Sequence, residues 1–202
     1  MGIVKEKQEL REKIWGLLER NKIAKFCKGK IPNFKGKKRA AEKLKEIEEW
    51  KKAKIVFANP DAAQKPVREL ALKQGKMLIM ATPRLKKGYL LIKPQAVKGK
   101  ESYAATIRGA FKYGKSLKEL IKPDIIVTGC VAVDKEFYRL GKGGGYGDIE
   151  ISTFQNKFGK IPVITTIHDL QLVEKVPVST NDTVVDIVVT PTKILRRKLE
   201  KI

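Results

Sequence analysis

The sequence has one histidine, His168, and two cysteines, Cys27 and Cys130, among 202 residues. A single histidine, with no cysteines at ligand spacing, excludes the usual zinc sites. Two cysteines so far apart make no disulfide framework, and the reading is a reduced, cytoplasmic protein. Aromatic residues are 7% of the chain and do not interleave with its basic runs, so an RNA-stacking platform is not spelled out. No apolar run is long enough to span a bilayer. The start, MGIVKEKQEL, is charged and amphipathic without an apolar core, so it is read as no secretory signal. There is no G-x-G-x-x-G for a dinucleotide, no serine or cysteine nucleophile motif and no internal repeat.

Acidic residues are also scarce. Asp and Glu number 22 against 44 Lys and Arg, a net charge of +22. Such a field favours anionic partners: nucleotides, phosphorylated or polyglutamylated small molecules, or nucleic acid. A Lys/Glu-rich surface of the thermophilic kind would explain many of the charges but not their imbalance. Most of the excess lies in residues 1–54 and 84–122. The length and the 42% apolar content suit one domain, 1–202, with a real core.

What the chain does have is Arg139–Asp148, RLGKGGGYGD, half of it glycine. Glycines let backbone N–H groups approach a ligand closely and adopt positive φ, and successive amides of that kind make an anion-binding concavity. Arg139 and Lys142 add positive charge, and Asp148 offers a ligand for a divalent cation. A flexible surface loop is the alternative reading of the stretch alone.

The order of elements supports the first reading. Apolar residues at helical spacing predict a helix over 4–20, where Lys7 and Arg11 share a face. IPNFKGK is a loop, and a second helix is expected over 38–52. KIVFA (54–58) and MLIMA (77–81) read as strands flanking a helix over 66–74, and 88–100 reads as irregular and basic. DIIVTGCVAV (124–133) is the most strongly β-like stretch. A helix from about 148 to 158, strands at 161–167 and 184–190, and a short basic helix at 192–200 complete the chain. Continuous apolar strands alternating with helices predict a three-layer α/β/α, Rossmann-like domain with a mostly parallel sheet. Ligands of such sheets bind beyond the strands' carboxyl ends. The glycine loop follows a strand and leads into a helix N-terminus, which favours anions.

Two other signals tempt. GAFKYGKS, Gly109–Ser116, spells a P-loop letter for letter, but the segment before it is polar and the LKELIK after it gives barely two turns before Pro123. It is therefore read as a coincidence. His168 precedes Asp169, a pairing that suggests acid–base work. Adjacent residues in an extended segment face opposite ways, so a structural histidine is the preferred reading.

Several stretches together resemble the 5-formyltetrahydrofolate cyclo-ligase family over most of the chain. RLGKGGGYGD is similar to the family's R-L-G-[RK]-G-G-G-Y-Y-D signature. Lys7–Arg11 is similar to its nucleotide-contacting K-x-x-x-R, and Pro177, Asp182, Asp186 and Thr190 follow its P-x-x-x-x-D…D-x-x-x-T pattern. IPNFKG, NPDAAQK, TPRL and HDLQ look closer still to a divergent branch, the methenyltetrahydrofolate synthase domain-containing proteins. The resemblance implies an enzyme that uses ATP and Mg²⁺ to convert 5-formyltetrahydrofolate to the 5,10-methenyl form. The formyl oxygen is phosphorylated, N10 attacks the activated carbon, and phosphate leaves; the protein positions groups and neutralises charge. Carried over by motif, Lys7, Arg11, Arg139, Gly141, Lys142, Gly143, Gly144 and Gly145 hold the phosphates. Asp148 and Asp182 hold Mg²⁺, and Asp61, Gln64 and Tyr146 meet the folate or pterin.

The chain departs from the signature at Gly147, where the family has a second tyrosine, and at Ile149, where it has a basic residue. Asp61 and Gln64 stand where the family's substrate-side motif has glutamate and threonine. The nucleotide half therefore matches better than the folate half. Monomeric, membrane-free behaviour is expected. A non-enzymatic nucleotide- or RNA-binding protein on the same fold is the alternative, and a kinase-like enzyme acting on another small anion is a third reading.

Overall fold

The computed structural model describes residues 2–198. Helix α1 (Ile3–Arg20) buries Ile14, Trp15 and Leu18 along one stripe, as its periodicity predicts. The single helix expected over 38–52 is instead divided into α2 (Lys37–Lys43), a 3₁₀ turn at Leu44–Glu46, and α3 (Glu48–Lys52). The break is at Ile47, which is extended at φ −96° and ψ 128° while its side chain is fully buried in the core. Packing there outweighs helix continuity. Strand β1 (Ile55–Ala58), α4 (Lys65–Lys73) and β2 (Met77–Ala81) fall where the pattern placed them.

The basic segment after Gly88 is more ordered than expected. It contains strand β3 (Tyr89–Ile92), whose Leu90 and Ile92 are buried, and is followed by α5 (Glu101–Ala104), α6 (Ile107–Tyr113) and the two-residue strand β4 (Lys115–Ser116). Residues 117–122 form no helix. The long strand expected over 124–133 is split into β5 (Ile125–Thr128) and β6 (Ala132–Val133); β6 pairs with β7 (Arg139–Leu140) in a hairpin outside the main sheet. Then come α7 (Tyr146–Phe158), β8 (Val163–Thr166), β9 (Ile187–Val189) and β10 (Ile194–Arg196). A helix was expected over 192–200. The described part is instead a strand, because Thr190 Oγ1 accepts from the N–H groups of Thr192 and Lys193 and folds the chain back onto β9. Residues 199–202 lie outside the described residues.

The main sheet has the order β10-β9-β8-β5-β1-β2-β3-β4. Its five central strands are parallel, and the antiparallel additions are at its edges. Alternation along each strand sends Val56, Ala58, Leu78, Met80, Ile125 and Val127 to one face, against α2, Trp50 and α4. Phe57, Ile79, Ile126, Val163 and Val188 go to the other, against Ile151 and Phe154 of α7. The result is the three-layer α/β/α arrangement. Helix α1 packs with Phe34, Ala40 and the β6–β7 hairpin into a third cluster, which places Lys7 and Arg11 beside the glycine loop.

Candidate active site at the carboxyl ends of the central strands

Strands β1 and β5 are parallel neighbours, but β1 leads to β2 on one side and β5 leads towards β8 on the other. Such a divergence opens a crevice at the carboxyl ends. A cavity of about 490 Å³ lies there, lined by Asn59–Ala62 after β1, Pro83 and Arg84 after β2, Gly129 after β5, and the glycine loop. Gly129 is where the chain leaves the sheet. A Cβ there would lie 2.5 Å from Gln64 Oε1 and 2.8 Å from Ile31 Cγ2, so only glycine lets these layers meet.

The β6–β7 turn is held by Asp134, whose carboxylate accepts from the N–H groups of Glu136, Tyr138 and Val176. The hairpin delivers Arg139, 3% exposed, to the cavity floor. In the loop, Gly143 has φ +111° and Gly145, the N-cap of α7, has φ +70°. Both values favour glycine, and the helix that follows presents its N-terminus to the cavity. Arg11 Nε donates to Gly141 O at 2.7 Å and fixes the loop from outside.

Asp148 binds through one oxygen. Its Oδ1 accepts from Thr183 Oγ1 (2.7 Å) and Thr183 N (3.1 Å) and lies 2.9 Å from Arg139 Nη2. That last contact is off the hydrogen-bond axis, so the ion pair holds while Nη2 stays an unsatisfied buried donor. Asp182 likewise uses one oxygen, Oδ2, for Lys7 Nζ (2.5 Å) and Ser179 N (2.7 Å). No described residue donates to Asp148 Oδ2 or Asp182 Oδ1. The two aspartates border one groove on the outer side of Gly145. Free oxygens on two carboxylates suit Mg²⁺, which uses one or two carboxylates together with substrate phosphates. Among the described residues no set of three or more His, Cys, Asp or Glu forms a metal site by itself.

On the opposite wall, Lys142 Nζ pairs with Asp61 Oδ1 at 3.0 Å, and Asn59 Nδ2 donates to Asp61 Oδ2 at 2.9 Å. The loop carrying Asp61 is clamped from below by Arg68, which donates to the carbonyls of Asn59 (2.6 Å), Asp61 (2.9 Å) and Ala105 (2.9 Å). Burial pushes the Arg68 pKa down to about 10, against the pull of Asp61. Glu150 also lines the cavity, at 4% exposure. Burial first, then the nearby Asp61 carboxylate, push its pKa up to about 8, against Arg139 and Lys142.

The expected site residues thus fall into two groups. Asp61, Arg139, Gly141, Lys142, Gly144, Gly145, Tyr146 and Asp148 line the cavity. Lys7, Arg11, Gly143 and Asp182 stand on the outer side of the glycine loop, joined to it through Arg11. Gln64 is placed beneath the floor: it is fully buried, and its amide donates to Thr166 O and Oγ1 at 3.1 Å. His168 is structural, as expected. Its Nδ1 accepts from Leu170 N to cap a 3₁₀ turn, reciprocated by Gln171. Gly109–Ser116 is no phosphate loop, being divided between α6 and the edge strand β4. The residues not anticipated are Glu150, Arg68, Asn59 and Arg84. Glu150 had a signal: four residues before buried Phe154, it is an acidic residue on the apolar stripe of a helix.

A glycine-rich loop at the switch point of a mostly parallel sheet in a three-layer fold defines the class. The sequence matches the 5-formyltetrahydrofolate cyclo-ligase family over residues 3–191, and the chain belongs to that family. It is 35% identical over 209 residues to the methenyltetrahydrofolate synthase domain-containing protein of Bos taurus, an alignment covering 96% of this chain and 55% of that one. The chain therefore spans about half the length of this relative. A 75-residue segment, 37% of this chain and 40% of the other, is 40% identical to the 5-formyltetrahydrofolate cyclo-ligase of Escherichia coli K12. The NMR structure of the Aquifex aeolicus 5,10-methenyltetrahydrofolate synthetase superimposes with a TM-score of 0.62 at 25% identity, covering 96% of this chain and 94% of that one.

Proposed function

We propose that this chain is an ATP- and Mg²⁺-dependent cyclo-ligase. It would convert 5-formyltetrahydrofolate, or a related formylated pterin, to the 5,10-methenyl form with release of ADP and phosphate, as a cytoplasmic monomer. The observation that carries the reading is the glycine loop: two left-handed glycines and an unsatisfied Arg139 donor converge at the N-terminus of α7. In this reading the loop amides, Arg139 and Lys142 hold the phosphates, with Arg11 and Lys7 supporting the loop from outside. Asp148 and Asp182 would hold Mg²⁺, which supplies charge neutralisation at the transferring phosphoryl group. Tyr146, Pro60, Pro83 and Ile107 offer apolar walls to a planar ring, and Asp61 faces the same space. Gln64 acts through the fold of the floor.

The test is incubation with MgATP and 5-formyltetrahydrofolate, following ADP and the methenyl product together. Both should form in equal amounts and depend on both substrates. Absence of either product with this folate and with modified pterins, despite bound MgATP, would sink the reading. A second reading, non-enzymatic RNA binding, is supported by Phe26, 83% exposed on a loop with Lys22, Lys25, Lys28 and Lys30. It requires a salt-dependent RNA shift that survives Lys142→Ala.

A further inference from the structure

Two adjacent residues at the cavity mouth, Arg84 and Leu85, hold left-handed backbone conformations, at φ +55° and +52°. Neither is glycine, so the loop after β2 is strained there, and such strain persists only where the surroundings fix it. Thr82, 1% exposed, does so. Its hydroxyl donates to Gly88 O (2.9 Å) and accepts from Lys87 N (3.0 Å), and its carbonyl accepts from Leu85 N (2.8 Å). Leu85 packs inward against the cluster that includes Phe57 and Phe154. Its neighbour Arg84 is exposed and lines the cavity, and its guanidinium makes no hydrogen bond or ion pair with any described residue. The other cations lining the cavity are engaged, Arg139 with Asp148 and Lys142 with Asp61. Sheet order puts the Arg84 rim on the β2 side of β1, whereas the chain reaches the glycine loop from β5 on the other side. Ile107 of α6 lines the same cavity at 40% exposure, and Phe111, one turn on, is 41% exposed. Lys87 Nζ lies 5.7 Å from the Phe111 ring centroid, so the loop and α6 meet side by side. The rim is thus an exposed apolar strip bordered by a cationic fork, while Arg139 and Glu150 on the floor are almost fully buried.

We infer that Arg84 is a specificity-determining residue that binds a carboxylate of the substrate's glutamate tail, with Ile107 and Phe111 carrying the aminobenzoyl ring that precedes it. The inference rests on the proposed folate substrate and adds which end of it faces solvent and what holds that end. A folate is a pterin, a benzoyl ring and a glutamate in line. The cavity offers their complements from floor to rim: Tyr146 and Asp61 within, then the apolar strip, then the guanidinium. Arginine presents a planar fork that meets a carboxylate with two parallel hydrogen bonds. A ring laid on Ile107 and Phe111 takes apolar surface of both partners out of water. The strained turn then has a use. It lets Leu85 anchor the loop while Arg84 stands at the mouth, so the side chain's backbone is already in place when the ligand arrives. A free pterin has neither ring nor carboxylate and makes neither contact, so the rim selects folates over free pterins.

The experiment is calorimetric titration of wild type and Arg84→Gly, with a non-hydrolysable ATP analogue and Mg²⁺ present, using two ligands. One is 5-formyltetrahydrofolate; the other is 5-formyltetrahydropteroate, which keeps the ring and lacks the glutamate. Glycine relieves the left-handed turn, so R84G should fold with a Tm equal to or above that of wild type. Wild type should bind the folate about tenfold to thirtyfold more tightly than the pteroate, and R84G should bind both at about the pteroate level. Arg84→Gln, which keeps most of the side chain without its charge, should lose the preference in the same way, and it decides the matter if glycine loosens the loop. Affinity for the nucleotide analogue should be unchanged in both variants. Equal affinity of wild type for the two ligands, or a variant that keeps the wild-type preference, overturns the inference and leaves the substrate reading standing. An equal loss for both ligands would mean that Arg84 acts through the shape of the loop, and a loss of nucleotide affinity would place it with the phosphates; either result overturns the inference. If wild type binds the nucleotide but neither ligand, the substrate reading fails with it.

Discussion

Lys142 Nζ and Asp61 Oδ1 are 3.0 Å apart, 81 residues from each other in sequence, and their contact joins the glycine loop to the loop after β1. One partner belongs to the nucleotide half of the proposed site and the other to the folate half. The pair is partly exposed, at 39% and 19%, so it contributes under about 1 kcal/mol to stability. Phosphates entering the cavity would compete with Asp61 for the lysine. Lys142→Ala should therefore weaken MgATP binding about tenfold with little change in Tm, whereas Asp61→Asn should leave MgATP binding equal or tighter and weaken the folate. Titration of each variant with each substrate separates these effects. Equal losses of MgATP affinity in both variants would contradict the division.

Gly147, where the family signature has tyrosine, has a reason in the structure. A Cβ there would lie 2.5 Å from Arg139 Nη2 and 2.9 Å from Cζ and Nη1. The guanidinium occupies the space of the missing side chain and reaches Asp148 through it. Gly147→Ala should displace Arg139, costing about 1–3 kcal/mol in denaturant unfolding and weakening MgATP binding at least about tenfold. A neutral outcome in both measurements would show that Arg139 relaxes freely.

The sequence made the central strands and the glycine loop legible, because continuous apolar runs and clustered glycines are local signals; the order of the strands in the sheet depends on long-range pairing and was not. Edge elements were harder. β3 lies in a lysine-rich stretch whose alternation covers only Leu90 and Ile92, and β10 depends on a turn formed by one hydroxyl, that of Thr190. Strand β6 was fused to β5 because the split at Gly129 comes from Gln64 and Ile31, remote in sequence. Within the site, the motif residues Asp61, Arg139, Lys142, Tyr146 and Asp148 come together around one cavity. The depth of Gln64 was not legible, since its burial under Thr166 depends on β8. Glu150 and Arg68 matter through depth, which no short motif encodes.

The P-loop spelling separates letters from structure. Gly109 packs where a Cβ would be 1.8 Å from Tyr103 O and 2.8 Å from Ala104 Cα, so it serves the close approach of α5 and α6. Lys115 is exposed on the edge strand β4. Gly109→Ala should destabilise the fold by about 2 kcal/mol or more, and Lys115→Ala should leave both Tm and MgATP affinity within error. Loss of nucleotide binding on changing Lys115 would move the phosphate site to this segment.

Glu150 sets a dependence of stability on pH. Its pKa in the folded chain is raised to about 8 from the ordinary 4.5, so between those values the folded state holds a proton that the unfolded state has released. Stability from this group is fully present below about pH 4.5 and is lost as pH rises through about 8, a change on the order of a few kcal/mol. Other carboxylates lose favourable partners on acidification, so the group is best seen by difference. In urea unfolding at pH 5, 7 and 9, Glu150→Gln should gain on wild type steadily as pH rises. Parallel curves for the two proteins would mean that Glu150 titrates as an ordinary carboxylate, which its burial against Asp61 argues against.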